Sequence, residues 1–294
     1  MRPFSILLCL SLSLASCGQK STIPELVSST NFDSLTKVLE AVYESDQTPR
    51  MGLERITQQY GQDSKEMKAH WKIIRRVDSL NLLTVHSILM QYGWLSEKEV
   101  SELANEALWL VIQHSDLATQ QNYLSLMEKA VKGGKAKAKH YGYLVDRILV
   151  RQGKFQIYGS QFQGGSSSNL RPYPIGNEPL VNQRRKEIGL DSLEVYALRL
   201  GCQYKVSQQD TYKDKVVVWG YIVEANQQRL KEVKILFKGR LLTTTNEFGE
   251  YFVVIAKSEK ANRLQFVKEG YGPTVFSFAE EREVYEPVSV LNKL

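Results

Sequence analysis

The chain reads as an α+β protein in two domains, a mainly α-helical N-terminal domain followed by an all-β sandwich. Two periodicities and one compositional break lead there. Apolar residues recur at three- and four-residue spacing over 31–200, the spacing of one helix face. From 215 to 294, short apolar runs come with turn signals between them, the mark of short strands packed as a sandwich. The stretch between, QYKVSQQDTYKDK, is polar and reads as a linker over 201–214.

The elements follow in order. Phe32, Leu35, Val38, Leu39 and Val42 predict a first amphipathic helix, and Met67, Trp71, Ile74, Val77 and Leu80 a second, over about 64–90 and broken near Asn81. Ser96-Glu97-Lys98-Glu99 has the form of a capping box, which would open a third helix through Leu103, Ala107, Leu110 and Val111. Further helices are expected over 120–131, ending at Gly133-Gly134, over 139–150, and as one or two pieces over 179–200. Lys154 to Gln161 is strand-like, which would put Gln156, Tyr158 and Ser160 on one face. In the β part, strands are expected over 216–223, 233–237, 250–255, 264–267 and 288–291. Asn246-Glu247-Phe248-Gly249 makes a turn whose glycine takes positive φ.

Composition narrows the function. The 294 residues are 43% hydrophobic and 24% charged, which excludes a polytopic membrane protein and a disordered chain. A net charge of +6 permits weak attraction to anionic surfaces without calling for nucleic acid. Three cysteines and four histidines exclude a disulfide scaffold or a zinc module, and His70, His86, His114 and His140 are too scattered to form a metal site by spacing. No cofactor is expected. There is no H-E-x-x-H, no G-x-S-x-G and no phosphate-binding loop. Lys132, Lys135, Lys137 and Lys139 form a basic cluster, read first as a solvated turn and second as a contact for anionic headgroups.

The first residues carry an address. Arg2 and the apolar run from Ile6 to Leu14 make a secretory signal over 1–16, too short to span a bilayer. Leu14-Ala15-Ser16-Cys17 resembles the bacterial lipobox, which implies acylation of Cys17 and a lipidated tether over 17–30. The expectation is a membrane-anchored lipoprotein of the bacterial cell envelope, placed at the outer membrane, with an envelope protein or glycan as partner.

Polar residues interrupt the apolar segments at W-L-V-I-Q-H-S-D (109–116), Y-L-V-D-R-I-L-V (143–150), Q-I-Y-G-S-Q-F (156–162) and N-Q-R-R-K-E-I-G-L (182–190). In this order they resemble an uncharacterised bacterial domain family over about 31–200, and Asp46-Gln47 with Arg50 is similar to its D-Q-x-x-R element. Ser160 stands where that family usually has threonine, and a G-G-S-S-S insert occupies 164–168. V-W-G-Y-I-V, T-T-N-E-F-G-E-Y-F and F-V-K-E-G-Y resemble the carboxypeptidase regulatory-like domain, a transthyretin-like sandwich, which implies an accessory role over 215–294 without peptidase chemistry.

Two readings of the polar set stand. His114, Asp116, Asp146, Arg147, Gln156, Tyr158, Gln161 and Arg184 could line one binding pocket, with arginines holding an anion and His114 moving a proton. Alternatively Asp146 and Arg147 pair with each other, and the glutamines satisfy the rest inside the core. The protein is then either a binding or assembly module of the envelope, or a hydrolase or transferase acting on an anionic small molecule.

Overall fold

The computed structural model describes residues 31–62, 64–163, 170–259, 262–279 and 281–294. The signal, Cys17 and the insert at 164–168 lie outside the described residues. Phe32–Leu294 forms one compact unit, in which a helical region precedes a β-sandwich, as the periodicities predict. Among the described residues no helix is long and apolar enough to cross a membrane.

Helices α1 (Phe32–Arg50), α2 (Leu53–Tyr60), α3 (Lys65–Tyr92), α4 (Glu102–His114), α5 (Leu117–Lys132) and α6 (Ala138–Arg151) make the first layer. Their apolar stripes meet in one core of Leu39, Val85, Leu95, Leu108, Ile112, Met127 and Leu144. Side-chain caps start several of them: Ser64, Ser101 and Asp116 each accept a backbone N–H three residues on. Three expectations are corrected here. α3 runs unbroken through Asn81, because the buried amide faces inward and bonds Ser45 and the Val42 carbonyl. The Ser96–Glu99 pair forms, with the Ser96 amide and hydroxyl both donating to the Glu99 carboxylate, but the helix itself opens at Ser101. α2 is an element the spacing did not predict.

After α6 come a two-residue hairpin, β1 (Phe162–Gln163) with β2 (Arg171–Pro172), and short helices α7 (Val181–Glu187) and α8 (Leu193–Arg199). Lys154 to Gln161 is not a strand. Gly159 takes φ +67, which breaks the alternation, and Gln156 and Ser160 are buried while Tyr158 is half-buried. The polar stretch after α8 is packed at its start: buried Glu178 accepts the Tyr204 hydroxyl at 2.7 Å and the Ser207 amide at 2.9 Å, and Val206 joins a small core with Ile175, Val181 and Leu193.

The sandwich has two four-stranded sheets. One centres on β3 (Lys215–Val223), flanked by antiparallel β6 (Glu250–Ala256) and, in parallel, by β9 (Val284–Tyr285) and β10 (Val288–Val290). The other runs in the order β5 (Arg240–Thr244), β4 (Lys234–Phe237), β7 (Arg263–Val267), β8 (Thr274–Ser277). Val218, Ile222, Ile235, Phe237, Ile255, Leu264 and Phe266 fill the space between them.

β3 is buried on both faces. Its second face puts Val217 and Trp219 with Val284 against Phe155, Tyr173 and Tyr212 of the helical part. At this seam the Gly153 carbonyl accepts the Glu283 and Val284 amides, both at 2.8 Å. The Phe155 amide returns the contact by donating to the Glu283 carboxylate at 3.0 Å.

Candidate functional site: a buried carboxylate, an imidazole and a buried arginine

The D-Q-x-x-R element lies in the last turns of α1, and four-residue spacing puts Asp46 and Arg50 on one helix face. Asp46 is fully buried. Its carboxylate meets His114 Nδ1 at 3.0 Å, the Gln47 amide at 2.7 Å and an Arg50 nitrogen at 3.4 Å. Burial pushes its pKa up. The hydrogen bond and charge of His114, with Arg50 and Gln47, outweigh that and hold the group below the usual carboxylate value. Arg50 turns its other nitrogen to both oxygens of Asp78 on α3, at 2.8 and 2.9 Å.

His114 is the last residue of α4, and its ring turns to the buried carboxylate on α1. An ionised carboxylate can only accept, so Nδ1 carries the hydrogen toward Asp46, and Nε2 is the atom that can exchange a proton. Asp46, Asp78 and His114 each offer one ligand atom within 4.8 Å of the others, a spacing that suits a cation. The Arg50 guanidinium already bridges the two carboxylates, so the positive charge there is the protein's own.

α6 supplies the other wall. Tyr143, Arg147 and Arg151 recur every four residues and face the C-terminal end of α4: Gln113 reaches the Tyr143 carbonyl at 3.5 Å, and Arg151 donates to the Ser115 carbonyl at 2.6 Å. Arg147 lies between them. Its Nε is buried without a hydrogen-bond partner. Burial and then the charges of Arg151 and Arg50 bring its pKa down to about 10, with only Tyr173 and Tyr196 opposing. The guanidinium therefore stays charged at neutral pH, and no carboxylate among the described residues pairs with it.

The remaining sequence-nominated residues form a different structure. Asp146 is fully buried and accepts the amides of Ile157, Tyr158 and Ser160 at 2.8–3.2 Å. Burial pushes its pKa up against those bonds. It does not pair with Arg147, because adjacent positions on a helix point about 100° apart. Gln156 accepts the Gln161 amide at 2.9 Å and donates to the Gln161 and Tyr173 carbonyls at 3.0 and 2.7 Å. The Gln161 side chain turns to the Ser160 hydroxyl at 3.1 Å. Arg184 donates to the carbonyls of Ile157, Gly176 and Asn177 at 2.8–3.1 Å, and Arg185, missed in the sequence, to those of Tyr158 and Asp191. These side chains hold the 155–163 segment by its backbone. Asp116 is separate again: it caps α5.

So the structure groups His114 with Asp46 and Arg50, with Arg147 in electrostatic reach of Arg50, and leaves Asp116, Asp146, Gln156, Tyr158, Gln161 and Arg184 to capping and loop bracing. Residues 33–208 match the model of a family of unknown function, DUF6624. The chain belongs to this family. Both the dyad and the brace lie inside the DUF6624 region, and the sandwich lies beyond it.

No curated protein matches the chain. Among solved structures, the Streptococcal ancillary pilin is similar at 17% identity and a TM-score of 0.21, over 32% of this chain and 36% of that one. BcpA, the major pilin subunit of Bacillus cereus, is similar at 14% identity and a TM-score of 0.20, over 27% and 30%. The chain spans about a third of the length of these pilins, and likeness at this level says nothing of function.

Proposed function

We propose that the DUF6624 region binds an anionic small molecule, with Arg147 taking its charge and His114 exchanging a proton through Nε2. One observation carries this reading: Arg147 is a largely buried cation with an unpartnered Nε and, among the described residues, no carboxylate beside it. Burying a charge is costly unless something pairs it, and here only tyrosines offset the repulsion of Arg50 and Arg151. An incoming phosphate or carboxylate supplies the missing counter-charge and accepts from the guanidinium. The Asp46–His114 pair adds acid–base capacity, since the carboxylate orients the ring and leaves Nε2 to face a ligand.

The wider setting is proposed on sequence alone. Leu14-Ala15-Ser16-Cys17 supports acylation at Cys17 and residence in the bacterial cell envelope, and the N-E-F-G-E-Y element supports a regulatory-like sandwich acting as an accessory binding or assembly module.

Inorganic phosphate is the probe for the site. Calorimetric titration should show saturable binding that weakens with added salt. Arg147→Met should weaken it by tenfold or more while leaving the melting temperature unchanged or raised, because it removes an uncompensated buried charge. A melting temperature that drops sharply in Arg147→Met, with phosphate affinity untouched, would make Arg147 a structural residue and end the proposal.

A further inference from the structure

The long helix α3 packs on α1, α2 and α4 through one face only, using Met67, Ile74, Val85, Ile88 and Leu89. It is about 42 Å long at 1.5 Å per residue, and its outward line is unusual. Lys65, Lys72 and Arg76 occupy the N-terminal half of that line, and Leu80, Leu83 and Met90 the C-terminal half. The three apolar side chains are 57%, 66% and 72% exposed. Among the described residues no ion pair engages the three cations there. The contrast with the lysines near 135 is sharp: Lys132 pairs with Glu128, Lys135 with Glu99 and Lys137 with Glu97 and Glu102.

We infer that the outward face of α3 is a docking surface for an anionic lipid bilayer. Charge complementarity selects this occupant. A partner helix would be met by a continuous apolar stripe, but here half the line is cationic and half apolar. Lipid headgroups take the cations, and the boundary with the acyl chains takes Leu80, Leu83 and Met90. The acidic residues of α3 do not oppose this along the line: Asp78 is turned inward to Arg50, and Glu66 stands off it by more than a quarter turn. The inference rests neither on acylation at Cys17 nor on the anion site.

The compact unit holds both of its cores within Phe32–Leu294, so residues 31–294 serve for the test and exclude any contribution from an N-terminal lipid. The chain is mixed with phosphatidylcholine vesicles and with vesicles containing about 30% phosphatidylglycerol, and bound protein is measured by co-sedimentation. Binding should appear on the anionic vesicles and fall with added salt. Lys72→Glu with Arg76→Glu should weaken it on the order of tenfold or more. Leu83→Asp with Met90→Asp should do the same, and both variants should keep the native melting temperature because the changed positions are exposed. Equal binding to both vesicle types, or none to either, overturns the inference. So does a dimer in solution that the Leu83→Asp, Met90→Asp variant converts to monomer, since a second copy would then be what covers the face.

Discussion

His140 lies flat on Trp109, with ring centroids 4.0 Å apart and planes 8° from parallel, and only 3% of it is exposed. Burial, helped by the charges of Lys139 and Lys137, pushes its pKa down to about 3. Glu106 stands 4.0 Å from Nε2, too far to rescue the charge with a hydrogen bond. The folded-state pKa is below the unfolded value of about 6.5, so the unfolded chain takes up this proton first. The stability His140 confers is therefore complete above about pH 6.5 and is lost as pH falls toward 3, a change on the order of 3–5 kcal/mol. Denaturant titrations at pH 7.5, 5.5 and 4.5 should show that slope, and His140→Phe, which keeps the stack, should flatten it. An unchanged slope in the variant would assign the acid sensitivity elsewhere. At this scale the sequence nominated the right residue types and misjudged their partners. Arg147 and Arg184 both lie on helices of the same region. Arg184 reaches three carbonyls, whereas Arg147 reaches none among the described residues, and that difference is set by which loop each helix faces.

Among elements, the loop after α6 does the joining. Gly153 takes φ +70, and a Cβ there would stand 2.7 Å from the Val284 carbonyl, the strand whose amide bonds Gly153. Gly153→Ala should cost on the order of 2–4 kcal/mol, from backbone strain and from separation of the seam. Gly189→Ala is the control. It has the same sign of φ, +74, with nothing within 4 Å of the added carbon, so it carries the strain alone. Thermal unfolding of the two variants isolates the seam term; equal losses would show that the contact with Val284 contributes nothing. Helices and strands were legible because each buries one face, and that writes a period into the sequence. α2, β1, β2, β5, β8 and β9 were not, being short or nearly all polar, and the loop at 154–161 imitated a strand until the positive φ of Gly159 broke its alternation.

For the whole molecule, the telling segment is V-V-V-W-G-Y-I-V. A strand with one wet face alternates, and this one does not, because β3 packs on the opposite sheet with one face and on the helical part with the other. The fragment 215–294 should still unfold cooperatively as a β protein, since its core between the sheets is its own. Its midpoint should fall below that of the same module in the full chain, because Val217, Trp219 and Val284 become exposed. Trp219 fluorescence reports both transitions, and matching midpoints would mean that the seam adds no stability.

What the sequence by itself determined is the order of things: helices before strands, most of their bounds, and the polar residues placed where apolar ones were due. Those follow from local periods and turn chemistry, which are written along the chain. Only the tertiary structure decided which polar residues meet. Asp46 and His114 are 68 positions apart, and Arg50 is closed on Asp78 by the packing of α1 on α3. A side chain's partner depends on where distant helices cross, and that is set by the core they share rather than by any residue beside it.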